Sequence, residues 1–451
     1  MRLELEFIAK TTGGRIFGDD RTQCDGVCVD SRSVRDRQLF VALQGEHADG
    51  HAFAARALKT AAAAMVSKPM EADGPWVVVG DTLRALQDLG RGACRRLNPM
   101  ILAATGSVGK STAKELAAAS LALAVPGVAA SKGNLNSTIG VPLSVCNLPD
   151  DTRWAVLEMG INKPGEMRAL GAIAPPDVIL FTGVHPVHTA FFESLETIAR
   201  EKASLAEFLK PEGAVCFPAG DPRLTPLLAP LPCRKITFGP GGDVQAVLTE
   251  DRGFLGYAGV IRIRDAGTPF SVPHAALHVE TVLQVAAALH AFGIGAEAVA
   301  RAAHDFTPMA GRLNLLRTER GLTLVDDCYN ASPFALEVLL ARFAKTPVPG
   351  KRILVLGDML ELGALEERAH REAGAAAARV VDALITLGPR AALAARAFAE
   401  TGKAATACDT VGAAAEAVLS MVAPGDWIVL KASRGVALER LIPLLENAHA
   451  V

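Results

Sequence analysis

Ile101-Leu-Ala-Ala-Thr105-Gly-Ser-Val-Gly-Lys110-Ser-Thr112 is the stretch on which the fold class turns. The apolar run from Ile101 to Ala104 reads as a strand, glycines 106 and 109 bend the chain sharply, and Lys110 opens a helical pattern. A strand, a glycine loop and a helix in that order aim several backbone N–H groups at one point, where they converge on phosphate oxygens. In such a loop the lysine reaches the terminal phosphates and the following hydroxyl can hold Mg²⁺. Thr105, Gly106, Ser107, Gly109, Lys110, Ser111 and Thr112 are therefore the expected nucleotide-binding residues. Ala104 stands where the usual pattern has its first glycine. The stretch implies use of a nucleoside triphosphate without saying what the phosphate is for.

Outward from this loop the chain divides. Downstream, strand-like runs recur at 154–157, 178–182 and 214–217 with helical stretches between them, the rhythm of a doubly wound parallel sheet. Residues 243–273 break it with glycines and an alternating run at 258–263, which reads as an antiparallel insertion or edge. After Thr307-Pro-Met-Ala-Gly311 the α/β rhythm restarts, with strands at 323–326, 353–356, 383–386 and 427–430. Upstream, a smaller α/β module with short strands ends at Asn98-Pro99. The expected architecture is three consecutive α/β domains, 1–98, 99–309 and 310–451. The central one is a P-loop nucleotide-binding parallel sheet and the last a Rossmann-like sheet.

Composition agrees with this. A chain of 451 residues is long enough for about three domains, each able to bury its own core. Lys and Arg total 46 against 48 Asp and Glu, a net charge of −2, which offers no chain-wide surface for nucleic acid. Three Trp and two Tyr are too few for a base-stacking platform. Mean hydropathy is +0.27, yet no apolar run reaches the ~20 uncharged residues of a spanning helix. The opening Met1-Arg-Leu-Glu-Leu-Glu6 has acids where a secretory signal has bases. Eight scattered cysteines without metal spacing read as thiols of a reducing compartment, so the expected location is cytoplasmic, without membrane insertion.

Several residues near the loop carry chemistry with alternatives open. Glu158 ends a strand, where it could ligate Mg²⁺, position a reactant or cap a helix. His185 and His188 follow the next strand and read equally well as plain loop residues. Lys202, in Ala199-Arg-Glu-Lys-Ala203, has the surroundings of a surface lysine among acids. Asn134 and Asn136 could offer amides to a ligand or simply build a turn.

Taken together these stretches resemble the Mur ligase family of cell-wall peptide synthetases, over nearly the whole chain. Thr105–Thr112 resembles its ATP loop, Asn134-Leu-Asn-Ser-Thr-Ile-Gly-Val-Pro142 its NxNxxIGxP stretch, and Leu157-Glu-Met-Gly160 its metal-binding segment. Gly311-Arg312 resembles the family's GR turn, and Val325-Asp-Asp-Cys-Tyr-Asn-Ala-Ser-Pro333, Leu356-Gly-Asp-Met-Leu-Glu-Leu-Gly363 and Lys431-Ala-Ser-Arg-Gly435 resemble motifs of the branch that adds a dipeptide. Asp30-Ser-Arg32, Phe40–Glu46 and Asp49-Gly-His51 are similar to its UDP-sugar module. The segments Pro218-Ala-Gly-Asp221 and Leu277-His278 depart from the family pattern, as do Gly183 and Ala432.

The resemblance implies an ATP-dependent amide ligase whose substrates are UDP-N-acetylmuramoyl-tripeptide and D-alanyl-D-alanine, acting through an acyl phosphate, as a monomer. It implies a catalytic set of Lys110, Glu158, His188 and Lys202, and metal ligation by Ser111, Glu158, His188 and Lys202, with two Mg²⁺ and a carbamylated Lys202. Asn134, Asn136, Arg312, Asp327 and Asn330 would join the loop in binding ATP. Ser31, Arg32, Ala42, Asp49 and His51 would meet the sugar nucleotide, and Asp358 and Glu361 the substrates in the third domain. A folylpolyglutamate- or cyanophycin-type ligase would share the central domain but not the DSR, DGH and DDCYNASP strings. A P-loop switch or transport ATPase is the rival of another class, and ADP release that requires both substrates separates it from a ligase.

Overall fold

Nine strands surround the glycine loop in the computed structural model, which describes residues 1–45, 48–185, 194–274 and 277–446. From one edge they run Ala266–Val272, Tyr257–Ile263, Val244–Asp251, Arg234–Phe238, Ala214–Pro218, Val178–Phe181, Met100–Thr105, Trp154–Glu158 and Val128–Ala130. Val244–Asp251 runs parallel with the six strands after it, whereas Tyr257–Ile263 pairs antiparallel with it and with Ala266–Val272, which is the expected edge at 243–273. The loop strand Met100–Thr105 lies between Val178–Phe181 and Trp154–Glu158. That order sets Thr182 and Glu158 on either side of the loop, where ligands of open α/β sheets bind. Ile101 to Thr105 are all buried, as a strand with helices on both faces requires.

Two smaller sheets flank this one. The first has strands Arg15–Phe17, Trp76–Val78, Ala63–Val66, Leu39–Val41 and Val27–Cys28, parallel except for the first pair. The third has Asn314–Arg317, Thr323–Asp327, Trp427–Lys431, Arg352–Gly357, Ala383–Leu387 and Ala404–Cys408, again parallel beyond its first pair. In the first, helix His51–Ala57 leads into the fully buried strand Ala63–Val66. Val128–Ala130 and Arg234–Phe238 escape a sequence reading: the former has three residues, and the latter mixes two cations with apolar residues.

The cores are not separate. One buried apolar cluster runs from Leu3 in the first module to Leu228 in the central domain. Asn147 stitches the two by accepting from Val27 N–H at 3.0 Å and donating to Val27 C=O at 2.9 Å, the pattern of one ladder rung. On the other side Phe254, at the tip of the antiparallel insertion, is fully buried within the third domain's core. Its ring lies 5.6 Å from Phe343 and 6.4 Å from Trp427. Arg342 of helix Pro333–Lys345 caps this plug by donating to Gly253 C=O and Leu277 C=O. Among the described residues no helix is long and apolar enough to cross a membrane.

Candidate active site

The glycine loop ends at Gly109 (φ 83°), which precedes helix Lys110–Ala124. Gly106 (φ 143°) passes so close to Thr182 that an added Cβ would strike its hydroxyl. Both glycines are thus required, one by backbone conformation and one by approach as well. Thr182 secures the loop from the neighbouring strand, its Oγ1 donating to Val108 C=O at 2.6 Å and its N–H to Thr105 C=O at 2.8 Å.

Lys110 folds back over the loop, donating to Gly106 C=O at 3.0 Å and Ser107 C=O at 3.2 Å. Lys202 reaches the same Gly106 C=O at 2.9 Å from helix Leu195–Ala203. It is 3% exposed, so the surface setting that its acidic neighbours suggest does not hold. Adjacent Glu201 points elsewhere, accepting from Met167 N–H at 3.0 Å. Burial, reinforced by the positive charge of Lys110, holds the Lys202 amine well below the usual lysine range, with Glu201 opposing. Burial also lowers Lys110, with Arg312 adding to the effect and Glu158 countering it.

Glu158 is 2% exposed at its strand end. One carboxylate oxygen accepts from Asn136 Nδ2 at 2.7 Å, and the other is buried without a hydrogen-bond partner among the described residues. An orphaned buried carboxylate oxygen beside a phosphate loop fits a hard divalent cation. The helix-cap alternative for Glu158 falls away, since no helix starts there. Among the described residues no group of three or more His, Cys, Asp or Glu could hold a metal. The donor set around Mg²⁺ would therefore be mixed, and expected ligand His188 lies outside the described residues. Asn134 shares the Asn136 loop, its C=O accepting from Asn136 N–H at 2.8 Å.

The third domain closes a cleft of about 650 Å³ over this floor. Arg312 follows Gly311 (φ 72°), stacks 4.1 Å from the Tyr329 ring centroid and donates to Ser111 Oγ at 3.2 Å. His185 stacks on Phe334 with centroids 3.6 Å apart, another contact across the cleft. Burial lowers the His185 pKa, with Asp221 opposing and Arg223 adding to the effect. Asp327 pairs with Lys431 at 2.6 Å, and Lys431 also donates to Asn330 C=O at 2.8 Å. Lys431, with 3% side-chain exposure, is a cleft residue whose role the sequence by itself does not reveal. Its signal was the KASRG string, but the partner is visible only through the Asp327↔Lys431 register. Gln284, another such cleft residue, has a buried Oε1 with no partner among the described residues. Thr105, Ser111 and Thr112 lie at the loop as read, with Thr105 fully buried behind it.

Of the remaining residues, one joins this cleft and the others are placed apart from it. Glu361 (φ 65°) lines the cleft. Asp358 is 5% exposed and accepts from Ala391 N–H at 2.7 Å, lining a second cavity of about 640 Å³ with Arg390 and Thr410. In the first module, Arg32 forms a two-pronged pair with Asp30 at 2.9 and 2.8 Å, which holds the exposed Asp30 carboxyl down at about 2. Ser31 Oγ accepts from Arg56 at 3.4 Å. His51 is held by Asp49 at 2.6 Å and by Ser67 N–H at 2.9 Å. Ala42 is fully buried, with N–H bonded to Met65 C=O and C=O to Thr82 Oγ1. Packing, not ligand contact, explains an alanine there.

The chain is similar to known proteins over nearly its whole length. The Mur ligase middle domain family matches residues 104–256, and the Mur ligase, glutamate ligase domain family matches residues 311–434. The UDP-N-acetylmuramoyl-tripeptide--D-alanyl-D-alanine ligase of Bacillus subtilis (strain 168) is 33% identical over 442 residues, covering 94% of this chain and 93% of that protein. Among solved structures, MurF from Acinetobacter baumannii superposes with a TM-score of 0.90 at 24% identity, covering 99% of both chains. The MurF ligase from Thermotoga maritima in complex with ADP gives 0.82 at 27%, covering 93% of this chain and 97% of that one. With both catalytic-half domains matched in order and a relative aligned nearly end to end, the chain belongs to the Mur ligase family.

Proposed function

We propose that the chain is an ATP-dependent amide ligase that joins D-alanyl-D-alanine to UDP-N-acetylmuramoyl-tripeptide, a step of peptidoglycan precursor synthesis. The observation that carries the reading is the meeting of Lys110, Ser111, Glu158 and Arg312 in one cleft between two domains. A carboxylate is a poor electrophile, so it is first phosphorylated by the γ-phosphoryl of ATP. ADP having left, the dipeptide's free amine attacks the acyl carbon, the C–N bond forms, the C–O bond to phosphate breaks, and inorganic phosphate departs as the nitrogen loses a proton. Placement and charge neutralisation do most of the work in such a transfer.

Each residue has a share in this. The ammonium of Lys110 leaves its loop carbonyls for the β and γ phosphates, and Arg312 brings a second cation from the opposite wall. Ser111, Glu158, His188 and Lys202 would hold Mg²⁺, which supplies charge neutralisation on phosphate and carboxylate oxygens. The buried, depressed amine of Lys202 suits carbamylation: neutral nitrogen adds to CO₂, a proton leaves, and an anionic carbamate takes the amine's place beside Lys110. Asp327, held by Lys431, and Asn330 face the nucleotide. We assign 1–98 to the sugar nucleotide, 99–309 to ATP and metal, and 310–451 to clamping and the incoming dipeptide. A cytoplasmic location suits a reaction that consumes ATP.

A phosphate-release assay with each substrate omitted in turn tests the reading. Release must need ATP, the sugar-tripeptide and the dipeptide together. Release with ATP alone would indicate a hydrolase, and release with a folate acceptor a different ligase.

A further inference from the structure

Lys114 is the one lysine that the mechanism leaves unused although its side chain is wholly hidden, at 0% exposure. It lies one turn beyond Lys110 on helix Lys110–Ala124. Its three N–H directions are all taken, by Ser131 C=O at 2.6 Å, Gly133 C=O at 3.3 Å and Glu115 Oε1 at 2.8 Å. An ammonium withdrawn from water is costly unless every donor is matched, so this side chain is held firmly and holds its partners in turn.

Its backbone partners belong to the loop that touches Glu158. Ser131 extends the ladder beyond Val128–Ala130, its N–H bonded to Val156 C=O at 2.9 Å. The Ser131 hydroxyl then accepts from the Glu158 N–H at 3.1 Å. Three residues past Gly133, Asn136 donates to Glu158 Oε1 at 2.7 Å, and its C=O accepts from Gly160 N–H at 2.8 Å. The 131–136 loop thus grips Glu158 at its backbone and at one carboxylate oxygen, which leaves the other oxygen bare. Lys114 is the link from this loop to the phosphate-loop helix.

We propose that Lys114 is a positioning residue: it braces the 131–136 loop so that Asn136, by holding one oxygen of the Glu158 carboxylate, keeps the other available to the divalent cation. The proposal rests on Glu158 being a metal ligand. Groups that orient a metal ligand typically change metal affinity about 10–100-fold when removed.

The test uses the full chain with a non-hydrolysable ATP analogue, and Mn²⁺ as a paramagnetic probe whose binding is read directly by electron paramagnetic resonance. Lys114→Met is expected to weaken Mn²⁺ about tenfold or more, with metal-free analogue affinity within about twofold of the parent. Asn136→Ala should weaken it similarly, and the double variant no more than the worse single one, because both act through one carboxylate. Unchanged Mn²⁺ affinity in a folded Lys114→Met chain overturns the proposal, as does an equal fall in metal-free analogue affinity, the mark of general softening. Should Lys114→Met not fold, Lys114→Gln, which keeps a polar donor, must also weaken Mn²⁺, and parent-like affinity there is equally fatal. Glu158→Gln serves as the control: if it binds Mn²⁺ as the parent does, the metal reading has failed and not merely the role of Lys114.

Discussion

Gly106 C=O is the acceptor shared by Lys110 and Lys202, so two basic side chains 92 positions apart meet on one atom of the phosphate loop. Lys110→Ala removes the mobile cation of this pair. Phosphate release in that variant is expected to fall to background under saturating substrates, and appreciable turnover would sink its role at the phosphates. Lys202→Ala is expected to lose activity and regain part of it with formate or acetate, which supply the carboxylate that a carbamate would provide. Addition of bicarbonate should rescue nothing in the variant, whereas the parent should gain from it after CO₂ has been stripped. A parent enzyme indifferent to CO₂ depletion together with an unrescued variant would count against the carbamate.

The antiparallel insertion is the element whose effect reaches furthest from its own sheet. Its tip drives Phe254 into the core of the third domain, between Phe343 and Trp427, and Arg342 returns the contact. Phe254→Ala empties a site enclosed on all sides, which costs about 3–5 kcal/mol. The loss should fall on the third domain's attachment, so differential scanning calorimetry is expected to show that domain melting earlier. A single, unshifted transition would refute the plug. The hairpin was legible in its alternating 258–263 run, but not its target, because a lone Phe in a turn carries no mark of the core it enters.

At the scale of the molecule, the first module shares a core with the central domain, while the third is joined by the 307–311 connection, the Phe254 plug and contacts across the ATP cleft. A reactive acyl phosphate must be kept from water, so closure of the third domain over both substrates is expected. The Phe254 plug is a second attachment beside the 307–311 connection, and closure of the third domain has to accommodate both. Small-angle scattering should show a smaller radius of gyration with ATP analogue plus sugar-peptide than without. An identical envelope would argue that the cleft works without closing. Phe254→Ala should widen the range of envelopes in the unliganded protein.

The phosphate loop, the α/β rhythm and the three-sheet order were readable along the chain because each depends on neighbours: a strand, two glycines and a helix are a local event, and strand periodicity repeats within a few residues. So were Glu158 and Arg312, which stand at the ends of such local units. What chain order could not reveal was who meets whom. Asp327 and Lys431 are paired by the register of two parallel strands about a hundred positions apart. Lys202, read from its neighbours as a surface lysine, is turned inward because its helix packs against the central sheet. Ala42, expected at a ligand, is consumed by packing, and Lys114, unremarked in the sequence, is enclosed by a loop that starts seventeen residues on. Burial and long-range pairing are properties of the packed sheets. They set the charge state and aim of these side chains, and no window along the chain contains them.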